Sequence, residues 1–287
     1  MSNDFVRLHV DGDEIEYAET GVGEPLVLLH AGVFADWFSP VAALPELSGF
    51  RVLRVRRAGY LDGVRPVRHL TLEDHARHCA SLLDALHFTS AHICGHSSSA
   101  LIGLQLALDR PDLARTLMLF EPAPGGDLLG PLNTPVIGDV VGPAMAAYAA
   151  GDVALGFERF MTAVCGPQHR DVLERVLGID GYARAVRASA YFPDEAVAVQ
   201  EWAFNAADAA RIGAPALIVQ GELTATVAAV KPESVPILAS MLSNATVITL
   251  ADVTHLMPLE SPLGVAQSIV EFARRHPISG DSARVPS

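Results

Sequence analysis

Cysteine is scarce in this chain of 287 residues: Cys79, Cys94 and Cys165 are an odd number without framework spacing, so free thiols in a reducing compartment are expected. Basic residues are scarce too. Only 20 Lys and Arg stand against 33 Asp and Glu, a formal net charge of −13. Nowhere do several basic residues gather as a phosphate backbone or an anionic membrane would require, which argues against nucleic-acid and membrane partners. The longest uncharged stretches, interrupted by polar residues, fall short of the roughly 18 apolar residues that span a bilayer, and "MSNDFVRLHV" has no basic region followed by an apolar core. The expectation is a soluble, cytoplasmic protein whose partner is a small-molecule substrate, with a homodimer left open. Internal repeats are also absent. What is present is apolar mass: hydrophobic residues make up 50% of the chain, enough for the core of one domain of about 200 to 250 residues plus an insertion.

Two segments of period two, "FVRLHV" and "EIEYAET", flank Asp11, Gly12 and Asp13 and predict an opening β-hairpin. Short apolar runs follow, "PLVLLHAG", "RVLRVRRAG", "AHICGHS", "TLMLFEPAP", "PALIVQGE" and "ATVITLADVTH", most of them separated by helical patterns. This is how buried parallel strands joined by crossover helices read, so the fold class is α/β. After Thr71, a capping Thr, Asp74 three residues on, and an apolar stripe at Leu82, Leu83 and Leu86 predict a helix. Between "FEPAP" and "PALIVQGE" the alternation stops and several helices are expected, separated by "GPLNTP", "GPQH" and "FPDE". The predicted organisation is a core of residues 1–123 and 211–277, a helical cap over 124–210, and a flexible tail over 278–287.

Chemistry concentrates at "GHSSS", residues 95–99, directly after a strand-like run. A nucleophile elbow is written G-x-S-x-G because the serine occupies a strained strand-to-helix turn where backbones nearly touch. Here Ser97 holds the nucleophile position and Ser99 replaces the final glycine; a plain helix cap is the alternative reading. A serine hydroxyl needs a base, and among eleven histidines His255 stands out: it follows the last strand-like run, at the sheet edge where α/β sites assemble. His30 and His96 are expected to orient backbone or pack near the site. His75 and His78, beside Cys79, read as the solvated face of an amphipathic helix and not as a metal site; no metal is assigned.

These segments resemble the α/β-hydrolase fold family over residues of about 14 to 275: "LLHAG" is similar to its His-Gly loop, "GHSSS" to its elbow and "DVTHLMPLESP" to its histidine segment. The resemblance implies a mostly parallel eight-stranded sheet with an N-terminal hairpin and a helical cap inserted after strand six. It also implies a catalytic triad with Ser97 as nucleophile, His255 as base, an oxyanion hole from the backbone N–H groups of Gly32 and Ser98, and no cofactor. The third member departs from the common pattern. Where relatives place an aspartate after strand seven, "QGELT" offers Thr224, which cannot ionise. Two acids remain, Glu121 in "LFEPAP" and Glu222. Glu121 is favoured because a shift of one residue on a strand reverses the side chain. Lactonases that open the macrolactone zearalenone resemble this chain in taking their acid from after strand six.

The expected function is a serine esterase or lactonase acting on an apolar, small-to-medium substrate, possible members including zearalenone, through a Ser-His-Glu triad and an acyl-enzyme. Its expected contacts are Trp202, Tyr191, Val33 and Phe160. The alternatives are cofactor-independent His-acid base chemistry, as in ring-cleaving dioxygenases of this fold, and a non-catalytic ligand receptor.

Overall fold

The computed structural model describes residues 5–128, 138, 141–227 and 234–278. Residues 279–287, most of the predicted tail, and the "GPLNTP" segment lie outside the described residues. Eight strands form one sheet: β1 (Val6–Val10), β2 (Asp13–Thr20), β3 (Glu24–Leu29), β4 (Phe50–Arg56), β5 (Ala91–His96), β6 (Ala114–Phe120), β7 (Ala216–Gly221) and β8 (Ala245–Leu250). Their order across the sheet is β1-β2-β4-β3-β5-β6-β7-β8. β1 and β2 form the predicted hairpin, with Asp11 and Gly12 at positive φ in its turn. β2 joins β4 antiparallel, and every pairing from β4 onward is parallel.

Period-two alternation divides the core between the two faces of the sheet. Val27, Leu29, Ile93, Leu117 and Leu119 pack on one face beneath the helices Leu72–Ala85 and Ser98–Asp109. Their neighbours Leu26, Leu28, Cys94, Met118 and Phe120 pack on the other, with Trp37, Phe38 and the helix Pro262–Arg275. Strands buried on both faces explain the apolar runs of the sequence. The helix after Thr71 carries the predicted cap: Asp74 N donates to Thr71 Oγ1 at 3.2 Å and Thr71 N to Asp74 Oδ2 at 3.0 Å.

On the same helix the structure corrects one expectation. His75 and His78 are buried, not solvated: the stripe of residues 72, 75, 76, 79, 82 and 83 faces the sheet, and His78 Nε2 lies 3.3 Å from Asp13 Oδ2. Burial lowers the pKa of both. All three cysteines are free and buried. Between β6 and β7 the described elements are helical, ending with Phe192–Glu201 and Ala206–Arg211, so a helical insertion separates two strands that pair directly in the sheet. Among the described residues no helix is long and apolar enough to cross a membrane.

Candidate active site

Parallel strands that end at one edge deliver their following residues to the same place. β3 leads into His30–Gly32, β5 into Ser97, β6 into Glu121, β7 toward Thr224, and β8 toward His255. Ser97, Glu121, Thr224, His255, Gly32 and Ser98 all line one cleft of about 1050 Å³, its open mouth included.

Ser97 sits at φ +55°, ψ −119°, between β5 and the helix that starts at Ser98. This sparsely populated conformation stores roughly 1–3 kcal/mol of strain, held in place by Ser97 N donating to Phe120 O at 2.9 Å and Ala123 N to Ser97 O at 3.1 Å. The turn is so tight that a β-carbon on Gly95 would stand 2.2 Å from Ser99 O, which explains the glycine two residues before the serine. Ser99, in the place of the usual second glycine, is fully buried and donates to His30 O at 2.5 Å. The departure from G-x-S-x-G thus ties the elbow to the loop after β3. Ser99→Ala should leave a buried carbonyl without this donor and cost about 1–2 kcal/mol, measurable by urea unfolding.

His255 is 8% exposed, and its Nδ1 lies 2.6 Å from Glu121 Oε2. Glu121 is 3% exposed, at φ +37°, and its other oxygen accepts from Gly221 N at 2.7 Å and from Thr224 Oγ1 at 2.6 Å. Thr224 therefore keeps a part in the site: its hydroxyl donates to the carboxyl group that holds the imidazole. Glu222 is exposed, and its Oε2 accepts from Asp252 N at 3.1 Å, away from the imidazole. With Nδ1 engaged by Glu121, Nε2 is left as the acceptor nitrogen of a neutral imidazole. The His96 ring lies 4.6 Å from that of His255, and Trp37 packs edge-on against both. Burial and the neighbouring imidazole lower the pKa of His96. His30 donates from Nδ1 to Ala31 O at 2.6 Å and accepts from Arg57 N at 3.2 Å, which orients the loop as expected.

Gly32 N has no protein acceptor among the described residues, and Ser98 N is the first N–H of its helix, without an intrahelical acceptor. Val33, at φ +78°, donates its N–H to the Tyr60 hydroxyl at 3.0 Å. That hydroxyl donates to Glu195, a fully buried carboxylate that also accepts from Arg57 Nη2 at 2.7 Å and from Ser98 Oγ at 2.5 Å. Sequence reasoning missed Glu195, Tyr60 and Thr224: each is a single polar residue without a motif, and their contacts join positions far apart in the chain.

Of the four expected substrate contacts, Val33 and Phe160 line the cleft; Trp202 and Tyr191 do not. Helix Phe192–Glu201 explains the correction. Its stripe at 192, 196, 199 and 200 faces the cleft, while the stripe one residue away, Tyr191, Glu195, Ala198 and Trp202, is buried against the core. Trp202 stacks on Phe204 at 4.8 Å and donates to Gln105 Oε1 at 2.8 Å. Tyr191 packs edge-on against Tyr60 at 5.3 Å, over Gly59. Most of the remaining cleft wall is apolar, with Trp37, Met161, Val164, Phe192 and Val199 beside Gln200 and Ser234, and among the described residues it includes no Lys or Arg.

A model described as "Alpha/beta hydrolase family" matches residues 26–268. An enol-lactonase from Burkholderia xenovorans LB400 has a similar structure, with a TM-score of 0.76 at 21% identity, covering 94% of this chain and 100% of that one. A thermophilic esterase from Thermogutta terrifontis gives a TM-score of 0.73 at 20% identity, covering 96% and 100%. In sequence, a 2-hydroxy-6-oxo-2,4-heptadienoate hydrolase of Pseudomonas putida is 33% identical over 114 residues, 38% of this chain and 41% of that protein. The chain spans less than half the length of the curated relatives that it matches.

Proposed function

This chain belongs to the alpha/beta hydrolase family, and from that premise we propose that it is a serine hydrolase of uncharged carboxylic esters or lactones. The single observation that carries this reading is that a strained serine and a histidine held by a buried carboxylate line one cleft at one sheet edge. Ser97 Oγ attacks the substrate carbonyl while His255 Nε2 takes its proton; Glu121 holds Nδ1–H and balances the imidazolium. The carbonyl oxygen, now an oxyanion, is received by Gly32 N–H and Ser98 N–H, donors worth about 3 kcal/mol each in the transition state. His255 returns the proton to the departing alcohol, leaving Ser97 acylated. A water deprotonated by the same imidazole then releases the acid. In a lactone, alcohol and acid stay in one product.

The apolar wall selects the substrate's chemistry. The described lining offers no Lys or Arg, so against this wall a free carboxylate on the acyl group would enter desolvated and unpaired. A fluorophosphonate should therefore label Ser97, located by peptide mass. In a panel of aryl esters, aliphatic esters and lactones, zearalenone among them, p-nitrophenyl butyrate should exceed by at least about tenfold in kcat/KM an ester of similar length ending in a carboxylate. Absence of labelling together with tight substrate binding would sink the reading.

A further inference from the structure

Glu195 is a charged group buried at the joint between the insertion and the sheet edge, and the steps proposed above do not use it. Its carboxylate reaches both sides of the oxyanion hole. On one side Oε1 accepts from Ser98 Oγ at 2.5 Å, the side chain of a residue whose N–H faces the substrate carbonyl in the reading above. On the other, Oε2 accepts from the Tyr60 hydroxyl, which in turn accepts from Val33 N at 3.0 Å and so fixes the residue after Gly32 in its left-handed conformation. The approach is close: a β-carbon on Gly32 would stand 3.1 Å from Glu195 Oε2. Arg57 Nη2, at 2.7 Å from Oε1, supplies the counter-charge that keeps a carboxylate this near the hole from opposing the oxyanion.

We propose that Glu195 is a positioning residue for the oxyanion hole, holding Ser98 directly and Val33 through Tyr60, so that the hole reaches its working geometry only with the insertion seated on the sheet. A buried ion pair adds little net stability over an apolar replacement, but it fixes where its partners point. The same helix presents Phe192, Ala196 and Val199 to the cleft, one residue away from the buried stripe that carries Glu195. Apolar contact between substrate and that helix therefore bears on the hole through the rigid helix, and binding energy from parts remote from the reacting carbonyl is spent in kcat.

This inference rests on the serine hydrolase reading, and the experiment separates the two. Glu195→Gln and Tyr60→Phe should lower kcat roughly 10- to 100-fold with KM within about threefold, because the N–H donors are misplaced and the cleft wall is unchanged. A trifluoromethyl ketone, which captures Ser97 as a tetrahedral oxyanion, should lose affinity by the same factor as kcat/KM. The phenol product should bind as before. Hydrogen exchange over residues 30–36 should quicken in both variants without any ligand. Tyr60→Phe keeps the Arg57–Glu195 pair and so remains informative where Glu195→Gln does not fold. Unchanged kcat and ketone affinity in folded variants, or unchanged exchange, overturns the proposal. Faster exchange in the variants of a wild type that neither hydrolyses esters nor captures the ketone removes the hydrolase reading and leaves the positioning of these amides standing.

Discussion

Ser97→Ala is expected to lower kcat by about 10⁶-fold on whichever ester the wild type turns over, while KM and the thermal midpoint stay close to their original values. Without the hydroxyl, the imidazole can only act on water, and no acyl-enzyme forms. Stability should change little, because alanine meets the same strain at φ +55° as serine, and Ser97 Oγ makes no capping hydrogen bond to the helix it precedes. Stopped-flow turnover and a melting curve on one preparation check both halves. A folded Ser97→Ala that keeps turnover would convert Ser97 into a substrate-orienting group. It would favour base chemistry by the His255–Glu121 pair, which needs no nucleophile on the protein.

Much of this arrangement was legible because it is local or periodic. The elbow, the histidine segment and the loop after β3 each follow an apolar run, and a run that ends at the same sheet edge as its neighbours delivers its next residue there. Parity did the rest for Glu121: Phe120 packs into the face beneath Trp37 and Phe38, so the following residue turns the other way, and a left-handed φ at Glu121 brings its carboxylate against Gly221 N and His255. What periodicity does not carry is which of two adjacent stripes faces a cavity and which is buried beneath it. Tyr191 and Trp202 cap the two ends of the helix that lines the cleft, yet both fall on its buried side and not on the lining stripe.

His75 and His78 escaped for the related reason that a polar residue on an amphipathic helix reads as solvated until the neighbouring element is known. Glu195 had no signal at all. Its three donors lie 97, 135 and 138 positions away in the chain, at Ser98, Tyr60 and Arg57, and a lone glutamate in "FPDE" has the pattern of an ordinary helix start. Thr224 was readable only as a missing aspartate, since a hydroxyl's choice of donating to a carboxylate depends on where that carboxylate arrives.

The second large effect is expected at Glu121. Glu121→Gln should reduce kcat about 10⁴-fold with the fold intact. The amide can keep its oxygen on Gly221 N and Thr224 Oγ1, which anchors the side chain, but its NH₂ then meets His255 Nδ1 as a donor. That stabilises the tautomer with the proton on Nε2, so the nitrogen meant to accept from Ser97 no longer can. Glu222→Gln should leave turnover unchanged, because Glu222 contacts the Asp252 amide on the exposed side of the loop. Thr224→Asp on the Glu121→Gln background provides the sharper comparison. Thr224 Oγ1 lies 2.6 Å from Glu121 Oε1, so a carboxylate at 224 arrives within one contact of the lost one, and a recovery of at least about tenfold in kcat is expected by restoring charge beside the imidazole. Steady-state kinetics on the four proteins, with circular dichroism to establish folding, decides the assignment. Loss of turnover in Glu222→Gln together with its retention in Glu121→Gln would move the acid to 222 and leave the 2.6 Å contact to His255 a purely structural one.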